Sequence, residues 1–175
     1  GDVPARGQGT GGVKWGVRVR PEGVRVVDVR RLSAEAAWNG NGSAAFLDDR
    51  APLLLAAGVP SIIGRMRVDV ISVHPKARQN VDKTGSDADR DRQKRFLQAV
   101  SLARQVQTLQ TDRKNLLAPL LLVGDFYSYQ FSDAFTDVVG PVPGKFDASQ
   151  NLPKLGRHLV KPTLLTAVDS VPAND

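Results

Sequence analysis

The sequence predicts a mixed α/β domain, a sheet with helices packed against it, and three observations carry that reading. Apolar and polar residues alternate through Val13–Val29, which is the strand period. Apolar residues recur at helical spacing through Phe96, Val100 and Ala103 and through Leu102, Val106 and Leu109. An apolar run, Leu120–Val123, then stops at Gly124-Asp125, as a strand does when it delivers a carboxylate to a sheet rim.

Taken in order, residues 1–12 are Gly-rich and read as a flexible arm, and residues 13–175 read as a single, partial α/β domain. Val13–Val19 and Val24–Val29, separated by Pro21-Glu22-Gly23, predict a β-hairpin. A polar loop follows, then Asp48-Asp49-Arg50 and a strand over Pro52–Ala57. Met66–Val73 predicts a strand ending in His74-Pro75-Lys76. Asp87–Gln110 predicts a helix, with Ser86 as N-cap and Asp87 and Asp89 in its first turn, where the helix dipole favours anions. Leu120–Val123 predicts a buried strand, and "SDAFTDVVG" a short helix closing at Gly140. The strand–helix–strand run from Met66 to Val123 resembles one crossover unit, so His74 and Asp125 are expected at the ends of two neighbouring strands.

Composition narrows the chemistry. The chain has 175 residues, 41% hydrophobic and 24% charged, which is enough for a real core. Its net charge is +6, and 16 arginines stand against 8 lysines. That bias suits phosphate-bearing partners, and a merely soluble basic surface is the plain alternative. There is no cysteine, which excludes disulfides, thiolate metal sites and cysteine nucleophiles. No apolar stretch is long enough to span a bilayer, and no membrane partner is expected. The start "GDVPARGQGTGG" carries no signal-peptide pattern. There is no Gly-x-Ser-x-Gly elbow, no His-Glu-x-x-His helix and no phosphate-binding loop ending in Gly-Lys-Ser/Thr.

"VISVHPKA", "DRDRQKRFLQAVSLARQVQ" and "LLLVGDFYSYQFSDAFTDVVG", in that order, resemble the endonuclease/exonuclease/phosphatase (DNase I-like) superfamily. The resemblance is strongest to its bacterial, often secreted, nuclease-like branch, which favours an extracellular location. "FLDDRAPLLLAA" and "LLTAVDSVPAND" are similar to further segments of that branch, so the likeness runs from about Val13 to Asp175. It implies a two-sheet α/β sandwich, incomplete here, whose rim uses Mg²⁺ or another divalent cation (Mn²⁺, Ca²⁺) to hydrolyse phosphodiesters. By the same resemblance, His74 would contact the phosphate, and Asp125 would orient or deprotonate water and ligate the metal. Tyr127, Arg50 and Lys76 would bind phosphate or substrate, with Arg95 and Gln98 supporting the site.

The sequence also departs from the pattern. Tyr127 stands where the family's Gly-Asp-Phe motif continues with Asn, and Pro75 follows His74 where the family has Leu. The family's Asn and Glu metal ligands would precede Val13 and its final Asp-His pair would follow Asp175, so the expectation is a domain truncated at both ends. Asp48, Asp49, Asp133 and Asp137 are candidates for a substitute metal site. The alternative reading is a non-catalytic scaffold that binds nucleic acid or a protein through its basic surface, with unpaired sheet edges favouring self-association. For single residues the plain readings are a turn aspartate at Asp125, a rim histidine at His74, an exposed His158 and a solvated helix face over Arg90–Arg95.

Overall fold

The computed structural model describes residues 16–38, 45–112 and 118–127. In chain order the elements are β1 (Arg25–Arg31), β2 (Ala37–Trp38), β3 (Ala45–Phe46), β4 (Leu53–Ser61), β5 (Gly64–Val73), α1 (Ser86–Thr111) and β6 (Leu120–Gly124). Four strands form one mixed sheet in the order β1-β4-β5-β6, and β2 pairs with β3 in a small second sheet. The β1–β4 and β4–β5 pairs are antiparallel, whereas β5 and β6 run parallel with α1 between them in the chain.

The apolar pattern explains the layering. In-register residues share a face of a sheet, so Leu54, Ile71 and Leu122 form one cross-strand row. That row packs with Val73, Leu32, Leu102, Ala103, Val106 and Leu109 into the core, and Leu120 and Phe126 border it. The chain turns from β4 to β5 through Ile62-Ile63, between the paired residues Ser61 and Gly64. Gly64 takes the positive φ of 117° there, a conformation that β-branched residues resist.

Three expectations change. The turn at Pro21–Gly23 forms, closed by the Val24 amide on the Arg20 carbonyl at 3.1 Å. Gly16–Arg20, however, is not a strand, Val13–Trp15 lies outside the described residues, and β1 pairs with β4 over Arg25↔Gly58 to Arg31↔Leu53. Alternation marks a strand without naming its partner, and the wholly buried run Leu53–Gly58 offers β1 the better apolar mate. The N-cap of α1 is Gly85, without a side-chain cap, and Ser86 is already helical. β6 is only half buried: Leu120 and Leu122 face the core, while Leu121 and Val123 stay exposed at 50% and 45%. The helix covers one face of this edge strand, so alternate residues are left to solvent. The helix expected to end at Gly140 lies outside the described residues.

Candidate active-site rim at the ends of β5 and β6

The last register pair of β5 and β6 is Val73 with Gly124. The next residues, His74 and Asp125, therefore leave the sheet together at one end. Gly124 makes this close approach possible. A Cβ at that position would lie 2.1 Å from the Val73 carbonyl oxygen, and its φ is 139°. The Gly-Asp pair thus has a physical reason: no larger residue fits immediately before the carboxylate.

Beyond the sheet, Tyr127 joins the two strand ends. Its backbone N–H donates to Asp125 Oδ1 at 2.8 Å, and its hydroxyl lies 2.9 Å from His74 Nε2. The imidazole and phenol rings are 5.3 Å apart and tilted by 31°. This turn holds Tyr127 at a φ of 48°, a left-handed conformation uncommon for a tyrosine. Partial burial lowers the His74 pKa below its usual value; the positive charge of Arg50 adds to that, and Asp125 opposes it. These surroundings favour the neutral imidazole. Asp125 is exposed, and His74 and Tyr127 are half-buried.

One buried guanidinium fixes this geometry. Arg95 donates to the Lys76 carbonyl at 2.8 Å and to the Tyr127 carbonyl at 3.0 Å, so it holds the chain just after β5 and just after β6. Gln98 accepts from the Lys76 amide and donates to the Leu47 carbonyl, both at 2.9 Å. Asp91 lies four residues before Arg95, on the same helix face. It faces Lys76 Nζ at 3.5 Å and accepts from Asn80 at 3.2 Å. Arg95 and Gln98 thus act as struts. The Lys76 ammonium points toward Asp91 on α1, so it does not join His74 and Asp125.

The segment Arg90–Arg95 therefore differs from a solvated face, because Asp91, Lys94 and Arg95 are all buried. Sequence reasoning missed Asp91 and Asn80. The spacing of Asp91, Arg95 and Gln98 puts them on one helix face beside the apolar stripe, but nothing in the sequence says what covers that face.

Next to Arg50 is a second polar group. Asp48 is buried and accepts from the Ser33 hydroxyl at 2.8 Å. Burial raises its pKa to about 6, with Asp49 adding to the rise and the Ser33 bond and Lys94 charge opposing it. Lys94 pairs with Asp49 at 2.7 Å and sits 5.1 Å from the centre of the Trp38 ring.

The resemblance implies a divalent ion at this rim. Such an ion needs several hard oxygen ligands converging on one point. Among the described residues no group of three acidic or imidazole side chains does so. Asp48 is buried and Asp49 is committed to Lys94, which leaves Asp125 as the carboxylate of the rim. The described residues do not fit a metal centre by themselves. Asp133, Asp137 and His158 lie outside them. Compared with protein-family models, with curated proteins and with solved structures, the chain matches none.

Proposed function

We propose that this rim is the phosphoester site of a divalent-metal-dependent phosphoesterase or nuclease, and that the four-stranded sheet is one half of a DNase I-like sandwich. The supporting observation is the parallel register of β5 and β6, which sends His74 and Asp125 out at one end with Tyr127 bridging them. The His74–Tyr127 pair keeps one free donor for a phosphate oxygen, the imidazole N–H or the phenol O–H according to the tautomer, and Arg50 adds positive charge beside it. Asp125 spends one oxygen on the Tyr127 amide and has its exposed side free to orient a water for attack on phosphorus. Arg95 holds both strand ends, so these groups are preorganised. The described residues form no cage for the ion itself. The test is cleavage of DNA and of bis(p-nitrophenyl) phosphate with Mg²⁺ or Mn²⁺. The expected result is turnover that EDTA abolishes and that Asp125→Ala and His74→Ala remove. No turnover with either ion overturns the proposal.

A second reading has its own support. The phenol of Tyr127 already occupies His74 Nε2, and the described residues lack a metal-ligand group. Both features suit a scaffold that binds nucleic acid without cutting it. That reading expects salt-sensitive DNA binding that survives EDTA and Asp125→Ala. It falls if no binding is seen at low salt.

A further inference from the structure

The far end of β5 has the opposite character. Ile62 and Ile63, at the tip of the β4–β5 hairpin, are 103% and 94% exposed, and Met66 behind them is 42% exposed. Pro60 is exposed as well. Isolated surface aliphatics need no explanation, but two fully bare isoleucines side by side at a turn do. No membrane-spanning helix occurs among the described residues, and a contact with a surface requires none.

Arginines stand at the base of this tip. Arg25 and Arg67 are both register partners of Gly58, and Arg65 pairs with Pro60. Arg25 and Arg65 flank the Gly58 position, where a Cβ would lie 3.8 Å from Arg25 Cβ and from Arg65 Cδ, in ordinary contact with both. Arg65 also donates to the Gly58 carbonyl at 3.0 Å. Arg20 shares a surface depression with Val59 and Pro60. On the acidic side, Asp69 neutralises Arg67 at 2.8 Å, Asp28 faces Arg30 at 3.4 Å, and Glu22 lines the depression with Arg20. Arg20, Arg25 and Arg65 are exposed.

We infer that this hairpin tip docks on a bilayer surface rich in anionic lipid, with Ile62 and Ile63 entering the interface and Arg20, Arg25 and Arg65 meeting lipid phosphates. Depth and spacing agree. Interfacial apolar groups sink about 5–10 Å into the headgroup and acyl boundary. Strand geometry puts the Arg65 pair roughly 3 Å, and the Gly58 row roughly 10 Å, behind the Ser61–Gly64 end of the ladder. Positive charge therefore lies at headgroup level when the isoleucines are inserted. Each such cation adds attraction to an anionic leaflet. Charge and shape favour this occupant over the others. A second copy docking tip to tip would bring two arginine clusters together. Nucleic acid would leave the aliphatic pair without a partner, since bases stack on aromatic rings. The inference stands apart from the phosphoester proposal, because it concerns the other end of β5.

Vesicle co-sedimentation tests it, with phosphatidylglycerol/phosphatidylcholine vesicles against phosphatidylcholine alone, at low and high salt. The chain is expected to bind the anionic vesicles at low salt, with affinity falling as salt rises. Ile62→Ser/Ile63→Ser should weaken that binding roughly tenfold or more, and Arg20→Gln/Arg25→Gln/Arg65→Gln should flatten its salt dependence. In an Ile63→Trp variant, tryptophan fluorescence should shift to the blue on the anionic vesicles. Circular dichroism matching wild type confirms that each variant is folded. The inference is overturned by absence of binding at low salt, by a tip variant that binds as tightly as wild type, or by an Ile63→Trp signal that does not move. It is equally overturned if the tip variant leaves vesicle binding intact and dissolves a dimer seen by sedimentation velocity.

Discussion

The two ends of β5, roughly 30 Å apart by strand geometry, solve opposite problems. At the His74 end hydrogen bonds tie the chain down: Arg95 caps two carbonyls, Gln98 bridges two segments, and Asp125 turns the chain. At the Ile62-Ile63 end the apolar tip touches little, and the arginines stand at its base. Glycines make the contrast sharp, because each end has one with positive φ. A Cβ on Gly64 would meet nothing within 4 Å, whereas one on Gly124 would collide with the backbone of Val73. One end is a fixed frame and the other is a free surface, and substitutions should be felt accordingly.

The largest effect is expected at Gly124. Gly124→Ala should force β5 and β6 apart and cost about 3 kcal/mol or more, through both backbone clash and strain. Gly64→Ala should cost about 1 kcal/mol, from the positive φ alone. Urea denaturation of the two variants measures the difference, and equal losses would mean that the close approach at Gly124 is not real. Next in size is Arg95→Met. It leaves the Lys76 and Tyr127 carbonyls without their buried donor, for a loss of about 2–3 kcal/mol, and it should loosen the rim before it unfolds the sheet. Hydrogen exchange at residues 74–78 and 125–127 reads that loosening directly.

Asp48 gives a pH-dependent effect. Its folded pKa, about 6, lies above the ordinary value of 3.8. The native state then binds more protons than the unfolded one between these values, so this group's contribution to stability falls as pH rises from about 4 to about 6. Above that window the folded chain carries a buried carboxylate. Asp48→Asn should be more stable than wild type at pH 7, by on the order of 2 kcal/mol, and the advantage should vanish near pH 4. A constant difference across that range would show that Asp48 is not buried as described.

Much of the frame was legible in the sequence, for definite reasons. The apolar segments Pro52–Ala57 and Met66–Val73 located β4 and β5, the helical spacing located α1, and the stop at Gly124-Asp125 marked the end of β6. The pairing of β1 was not legible, because alternation names a face and not a neighbour. Nor was the burial of Asp91, Lys94 and Arg95, since charge on a helix looks the same whether water or a loop lies over it. The loop 74–85 brings Lys76 and Asn80 onto that face, and only the tertiary arrangement shows it. At the rim, His74 and Asp125 could be paired from strand order. The bridge through Tyr127 depends on a left-handed residue that no pattern announces. The tip carried no signal of its own: Ile62-Ile63 lies between the two predicted strands, and only the paired ladder shows it as a bare turn.

The smallest effects separate the two ends most cleanly. Tyr127→Phe removes only the hydroxyl facing His74, so it should cost about 1 kcal/mol. His74 itself should titrate below 6.5 by NMR in wild type, because burial and Arg50 both disfavour its charged form. A group with a lowered folded pKa holds its stabilising contribution at higher pH and loses it as pH falls below the unfolded value, so acidification should weaken the rim first. A wild-type His74 titrating above 6.5 would place Asp125, not burial, in control. At the other end, Ile62→Ser/Ile63→Ser should leave the unfolding free energy within about 0.5 kcal/mol of wild type, as for any exposed site without partners. A clear loss of stability there would mean that the isoleucines are packed against the fold, and the free-surface description of the tip would be wrong.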